Sequence, residues 1–241
     1  MPCQSMNNCV ANITGVIQFG ANVALVATAP GVSTASAVAD AAGAYTFQKL
    51  PPGTWTLRPS AAEAAAFEYT PASVSVPLSG NGNTAFAPTM TRVRKWVVVG
   101  NADFSAAGAG FTSLALDSSG TPFVAYYDDS VGGDATVQKF VAGTGWTVVG
   151  NAGFSAGPAI FTSLALDSTG TPYVAYQDGG NANKVTVQKF TVANGWTVVG
   201  NAGFSAGQAD FTSLALDSTG TPFVAYSDFS NNNEATVQKF V

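Results

Sequence analysis

The amino-acid sequence predicts an all-β protein in which a β-sandwich is followed by three four-stranded β-propeller blades. Three observations carry this prediction. A segment of about 50 residues recurs three times toward the C-terminus, and such periods are typical of propellers and solenoids. Each copy contains four short runs rich in β-branched and aromatic residues, separated by Gly, Asn, Asp and Ser. The residues before the repeats alternate between apolar and polar types, as strands do.

The repeating units begin at Trp96, Trp146 and Trp196. The second unit holds the runs WTVVG, FTSLALD, PYVAYQD and VTVQKF, which we name strands D, A, B and C. Asp167 and Gly170 predict a tight turn between strands A and B, because Asp caps its own backbone and Gly accepts positive φ. Strand B is apolar on both faces, so a neighbouring blade is expected on each side.

The units resemble bacterial β-propeller repeats, although they lack the Gly-His and Trp-Asp pairs of WD repeats and the Asp box of sialidases. Counted in order, the chain supplies strand D, then ABCD, ABCD and ABC, so the first D strand is placed to complete the last blade. Three blades are fewer than the usual minimum of about four. Two solutions are open: a homodimer that forms a six-bladed ring, in which each chain supplies the D strand that the other needs, or a longer propeller of which this chain is a piece.

The N-terminal part has a different pattern and predicts a separate domain at residues 11–92, after a leader tail at 1–10 and before the repeats at 93–241. It resembles the carboxypeptidase regulatory-like and Cna-B-like family of prealbumin-type domains, which implies a β-sandwich that acts as a spacer on exported proteins. The residues that carry the resemblance are Gly15, the Asp40, Gly43, Tyr45 and Phe47 segment, the Leu50, Gly53, Trp55 and Leu57 segment, and Tyr69 with Pro71.

Composition favours a secreted or cell-surface protein. Charged residues make up only 10% of the chain, against roughly 25% in an average soluble domain. The net charge of −5 and the lack of a basic run argue against nucleic acid as a partner. No stretch reaches the roughly 18 apolar residues of a membrane helix, so membrane insertion is not expected, and no export signal is visible. Cys3 and Cys9 form either a small disulfide loop or two free thiols.

The sequence offers few groups for catalysis, and we predict that the chain is not an enzyme and uses no cofactor and no metal. It has no histidine, no nucleophile elbow and no phosphate loop. One recurring set of carboxylates, Asp117, Asp167 and Asp217, is expected to cap the A–B turns. A second set of carboxylates ends strand B and consists of Asp128, Asp178 and Asp228. Two roles are possible for this set: a cap for the following loop, or a ligand for calcium or sugar hydroxyls.

The three tryptophans are expected to lie between blades, although aromatic faces also stack on sugars. The units differ mainly in two places, the D–A loop and the B–C loop, and alternation of strand direction puts both loops at one end of a blade. We predict that this end is the recognition surface for a glycan or a protein, with relaxed drift of exposed loops as the alternative. The predicted ligand-binding residues are Tyr127, Asp129, Asp134, Ile160, Gln177, Asn181, Asn183, Lys184, Gln208, Asp210, Phe229, Asn231, Asn232, Asn233 and Glu234.

Three functions are therefore in competition. The favoured one is an extracellular binding or adhesion module that presents its propeller loops on a sandwich spacer. The second is a structural repeat protein of the cell envelope that assembles with itself. The third is a glycan-cleaving propeller enzyme, which no specific motif supports.

Overall fold

The computed structural model of the chain describes residues 11–16, 23–78, 82–85 and 91–241. It divides into two compact units, Met1–Val97 and Val98–Val241. Both are built from antiparallel strands with few helical residues, so the prediction of an all-β protein is confirmed. Cys3 and Cys9, with the disulfide considered for them, lie outside the described residues.

The described residues of the first unit form nine strands in three sheets. A three-stranded sheet has the order β4-β1-β8, a four-stranded sheet the order β3-β2-β5-β7, and β6 pairs with β9. All pairings are antiparallel except β1 with β8. The strands are β1 (Ala11–Val16), β2 (Ala24–Thr28), β3 (Ala35–Val38), β4 (Ala44–Leu50), β5 (Gly53–Pro59), β6 (Phe67–Thr70), β7 (Val74–Leu78), β8 (Gly82–Ala85) and β9 (Thr91–Arg94).

The two larger sheets of this unit share one core. Tyr45 and Phe47 from β4 are buried in the same cluster as Trp55 and Leu57 from β5. The Trp55 indole donates to the Pro51 carbonyl at 3.0 Å, so the ring is fixed beside the turn that precedes its strand. Gly43 has a positive φ of 81° in the tight turn that leads into β4.

Two features of the first unit differ from the sequence reading. A helix, α1 (Ala61–Ala66), was not expected; it forms because Ser60 accepts from the Glu63 amide at its start and alanine has the highest helix propensity. Residues 91–94, which span the predicted domain boundary between 92 and 93, form strand β9 beside β6. Arg92 lies 3.5 Å from the Phe67 ring centroid, so this segment belongs to the first unit.

The second unit consists of three similar sheets, which we call repeat sheets 1, 2 and 3. Their orders are β10-β11-β12-β13, β14-β15-β16-β17 and β18-β19-β20, all antiparallel. A one-turn 3-10 helix follows the second strand of each sheet, at Asp129–Val131, Gly179–Asn181 and Phe229–Asn231. The strands are β10 (Ala109–Leu116), β11 (Pro122–Asp128), β12 (Asp134–Val141), β13 (Gly145–Val148), β14 (Ala159–Leu166), β15 (Pro172–Asp178), β16 (Lys184–Thr191), β17 (Gly195–Val198), β18 (Ala209–Leu216), β19 (Pro222–Asp228) and β20 (Glu234–Lys239).

Successive repeat sheets pack face to face through apolar side chains. Strand β15 is buried along its whole length. Its Val174 and Tyr176 lie in the core shared with repeat sheet 1, whereas Tyr173 and Ala175 lie in the core shared with repeat sheet 3. The expectation that strand B is covered on both faces is therefore met in the middle repeat, where a neighbour exists on each side.

Repeat sheet 3 has three strands, because the chain's first D strand does not complete it. Residues 95–98 form no strand, and Trp96 is fully exposed. The expectation of closure by this segment within one chain is therefore wrong for this structure. Strand β20 remains an open edge, with Val237 and Phe240 exposed beside it.

Candidate functional site

The D–A and B–C loops lie side by side at one end of each repeat sheet. In every repeat, the first residue of the 3-10 turn donates its amide to a carbonyl near the end of the D–A loop. Their proximity agrees with the alternation of strand directions and forms one continuous loop end. The three hydrogen bonds are Asp129 to Gly108 at 3.0 Å, Gly179 to Pro158 at 2.9 Å and Phe229 to Gln208 at 3.1 Å.

The second and third D–A loops also contact the preceding repeat, so the loop ends of neighbouring sheets are joined. The Phe154 amide donates to the Ala135 carbonyl at 3.0 Å, and the Ser155 hydroxyl accepts from the Ala135 amide at 2.8 Å. Phe204 and Ser205 repeat these contacts with Val185. Residues from two repeats therefore form each local surface.

The carboxylates that end strand B hold the 3-10 turns and are buried. Asp178 accepts from the Gly180 amide at 3.0 Å, the Asn181 side chain at 2.8 Å and the Thr186 hydroxyl at 2.7 Å. Asp228 accepts from the Ser230 hydroxyl at 2.5 Å, and this bond lowers the Asp228 pKa below its ordinary value. Of the two roles considered for this set, the structure shows the loop cap.

The invariant A–B turns lie at the opposite end and are also capped. Asp167 accepts from the amides of Thr169 and Thr171, each at 2.9 Å, and from the Thr169 hydroxyl at 2.7 Å. Burial raises the Asp167 pKa, but these hydrogen bonds outweigh it and the net shift is downward. Asp117 and Asp217 make the same bonds, as the turn-capping prediction requires.

An aromatic row at the loop end was missed by the sequence reading. Phe111, Phe161 and Phe211 open strand A in the three repeats, and their ring centroids are 5.1 and 4.7 Å apart. Each has a left-handed backbone, with φ of 48°, 54° and 55°, at a point where the pairing of strands A and B is irregular. A bulky residue with positive φ is rare and marks local strain. The signal in the sequence was the invariant Phe directly after a variable loop.

Two groups of predicted site residues are brought together beside this row. The Tyr127 ring lies 6.2 Å from that of Phe111. The Gln177 side chain is buried and donates to the Ala209 carbonyl at 2.9 Å and to the Asp210 carboxylate. Gln177 therefore joins repeat sheets 2 and 3.

The other predicted residues differ in accessibility. Asn181 donates to the Asp178 cap and is half-buried, as are Asp134, Ile160 and Lys184. Burial, reinforced by the nearby Asp178 charge, raises the Asp134 pKa. The residues exposed to solvent at this end are Asp129, Asn183, Gln208, Phe229, Asn231, Asn232, Asn233 and Glu234.

Part of the variation between repeats has a packing explanation. Three pairs of variable residues are direct cross-strand partners: Gly110 with Tyr127, Ile160 with Gln177, and Asp210 with Ser227. A Cβ added to Gly133 would lie 2.3 Å from the Tyr127 ring, so Tyr127 requires glycine at that position. These variable positions therefore face one another across strands A and B, which gives part of the variation a packing basis.

The tryptophans pack between repeats where a partner is available. Trp196 stacks on Phe154 with centroids 3.9 Å apart, and its indole donates to the Val149 carbonyl at 2.9 Å. Trp146 makes the same contacts with Phe104 and Val99. The expectation of a packed tryptophan is confirmed for these two.

The described residues lack two kinds of feature. Within residues 11–16, 23–78, 82–85 and 91–241, no three His, Cys, Asp or Glu residues are grouped so as to hold a metal ion. In the same part of the chain, no helix has the length and apolar character needed to cross a membrane.

No family model matches the chain, and no curated protein matches it. Similar solved structures include a fucose lectin from Kordia zhangzhouensis in complex with methyl-fucoside (18% identity, 53% of this chain and 90% of that chain, TM-score 0.37). An endo-1,4-β-xylanase from Bacteroides thetaiotaomicron is also similar (12% identity, 90% of this chain and 91% of that chain, TM-score 0.39). So is an exo-1,5-α-L-arabinanase from a bovine ruminal metagenomic library (9% identity, 99% of this chain and 95% of that chain, TM-score 0.32). At these scores none of them assigns a role to a residue of this chain.

The prediction that the chain is not an enzyme is corrected by this comparison. The similar structures include two named as glycan-cleaving enzymes alongside one named as a lectin. An all-β fold of this class therefore does not separate binding from turnover. The missing histidine does not separate them either, because carboxylates alone perform glycoside hydrolysis.

Proposed function

We propose that the loop end of the repeat sheets binds carbohydrate. The observation that carries the proposal is the row of Phe111, Phe161 and Phe211, in which the first and last rings are exposed at the end where the repeats differ. An exposed aromatic face offers an apolar surface against which the C–H face of a sugar ring packs. Strained backbone recurs at binding sites, where surrounding structure holds it in place.

The polar residues around the row suit sugar hydroxyls. Asn183, Gln208 and Asn232 are exposed there, and side-chain amides both donate and accept hydrogen bonds. Asp129 and Glu234 add acceptors, whereas Lys184 is the only Lys or Arg among the predicted site residues. Such a surface matches a neutral or hydroxyl-rich ligand better than a polyanion.

In the proposed arrangement the three repeat sheets are β-propeller blades, and the first unit is a carboxypeptidase regulatory-like sandwich that serves as a spacer. The four-strand order of repeat sheets 1 and 2 and the shared core of the first unit support this assignment. A secreted or surface location is part of the proposal, and the low content of charged residues, 10%, supports it.

A glycan array that includes fucosides, xylans and arabinans tests the proposal, followed by titration of the strongest ligand. We expect Phe211→Asn to weaken binding about tenfold, because aromatic contacts contribute on the order of 1 kcal/mol. Asn tolerates positive φ, so this variant removes the ring while keeping the backbone. Val192→Asn is the matched control, since Val192 is exposed in the C–D turn at the other end.

Unchanged affinity of Phe211→Asn, or an array without a bound glycan, would refute the proposal. The same glycans are incubated with the protein and analysed for released sugars, which measures turnover directly. Release of sugars would show that this surface performs turnover and not binding alone.

A further inference from the structure

The two outer faces of the row of repeat sheets have the same chemistry as its buried seams. Val137 and Val187 lie in the seams between sheets and are 0% and 3% exposed, but the equivalent Val237 on repeat sheet 3 is 66% exposed. On the other side, Leu114 of repeat sheet 1 is 65% exposed, although its equivalent Leu164 is 6% exposed. Repeat sheet 3 therefore presents the face that normally receives a following sheet, and repeat sheet 1 presents the face that normally packs on a preceding one.

The same polar contact occurs at both seams, each time between residues 51 positions apart. The Leu164 amide donates to the Ser113 hydroxyl at 2.9 Å, and the Leu214 amide donates to the Ser163 hydroxyl at 2.9 Å. On repeat sheet 3, Ser213 occupies the acceptor position, with no following sheet among the described residues. On repeat sheet 1, the Leu114 amide occupies the donor position.

The pocket that holds a tryptophan between repeats also recurs on repeat sheet 3, where no tryptophan among the described residues fills it. Trp196 is held between Phe154 and Phe190 and donates to the Val149 carbonyl. Val199, Phe204 and Phe240, the next equivalents of these three partners, line an open pocket of about 340 Å³ beside strand β20.

The chain also carries a segment whose sequence suits this pocket. Trp96 to Val99 are four consecutive apolar residues, all exposed, and Trp96 is 103% exposed. Trp96 stands at the repeat position of Trp146 and Trp196. An exposed apolar run rich in β-branched residues and an open strand edge are both candidates for strand pairing.

We infer that two copies of this chain associate head to tail, with residues 96–99 of each pairing with strand β20 of the other. Strand β16 pairs Gln188 with Val198 and Phe190 with Trp196. The same register places Val98 opposite Gln238 of the second copy and Trp96 opposite its Phe240. The Trp96 indole then donates to the Val199 carbonyl, while repeat sheet 1 packs on repeat sheet 3.

Two copies of the 241-residue chain supply six repeat sheets. That number lies within the range of about four to eight blades with which propellers close. A two-fold ring uses the same junction twice and leaves neither outer face uncovered. The inference rests on the blade assignment but is independent of sugar binding.

Mass measurement in solution tests the association. The 241-residue chain is examined by light scattering and native mass spectrometry, with the variants Trp96→Ala and Val237→Asp and the control Val192→Asp. We expect wild type and control at twice the chain mass of 24.4 kDa and both interface variants at 24.4 kDa. A wild-type monomer, a mass of three or more chains, or interface variants that stay dimeric would overturn the inference.

Hydrogen exchange locates the contact and guards against misfolded variants. The Phe240 amide already donates to the Pro222 carbonyl of β19, so the amides that alternate with it, those of Val237 and Lys239, face the open edge. These two amides should exchange slowly in wild type and rapidly in Trp96→Ala, while amides of β15 stay protected in both. Equal exchange of the β20 amides in the two proteins would show that residues 96–99 do not cover this edge.

Discussion

Replacing Asp178 with alanine tests whether the carboxylate that ends strand B is a structural cap. It is buried and accepts three hydrogen bonds, from Gly180, Asn181 and Thr186. A hydrogen bond to a charged group contributes about 1.5–3 kcal/mol, and a buried donor left without a partner carries a similar penalty. Removing the buried charge relieves some desolvation, so we expect a net loss of about 3 kcal/mol.

For a domain of this size, 1 kcal/mol corresponds to about 2–4 °C, so Tm should fall by about 6–12 °C in thermal unfolding followed by circular dichroism. Asp129→Ala is the charge-matched control: Asp129 is exposed in the same type of loop, and its loss should leave Tm nearly unchanged. If Asp178→Ala melts with the wild type yet loses glycan affinity, the cap assignment is wrong and Asp178 contacts the ligand.

Two further predictions concern local packing and pH. Gly133→Ala should lower Tm by several degrees, because the added Cβ would lie 2.3 Å from the Tyr127 ring and φ at this residue is +88°. Adding Tyr127→Gln, which introduces the residue found at the equivalent position of the second repeat, should recover part of the lost Tm. An unchanged Tm in the double variant relative to Gly133→Ala would contradict the contact between Gly133 and Tyr127. Since the pKa of Asp167 is lowered from 3.8 on folding, its stabilisation is present above that value and disappears as pH falls through the folded pKa. Urea unfolding at about pH 6 and about pH 3 should show a smaller loss for Asp167→Asn than for wild type, and equal losses would refute this assignment.

The strands and turns of the repeats were predictable from sequence, because they depend on local pattern. Asp167 and Gly170 set the A–B turn wherever it occurs, and strand β15 reveals its two covered faces by its composition. The environment of Trp96 was not predictable, because repeat comparison identifies equivalent positions but not whether a neighbour covers each copy. Trp196 is packed and Trp96 is exposed, although their local sequences are nearly the same.

The sequence predicted the location of the candidate site better than the residues that form it. The meeting of the D–A and B–C loops follows from strand alternation alone. The role of Gln177, which is buried and binds Asp210, depends on the spacing between two sheets, which no single repeat encodes. The phenylalanine row escaped notice because its members do not vary, and its strained backbone has no signature in composition.

The seam between neighbouring sheets has a consequence for how such a chain changes length. Thr162 binds the carbonyl of Phe111 and Thr212 that of Phe161, each across 51 residues, and the serine contacts span the same interval. The two junctions therefore share these threonine and serine contacts, and stability accumulates by nearest neighbours. Duplication or deletion of a whole unit would preserve them, and only the variable loop positions, such as Gln177 against Asp210, would meet a new partner.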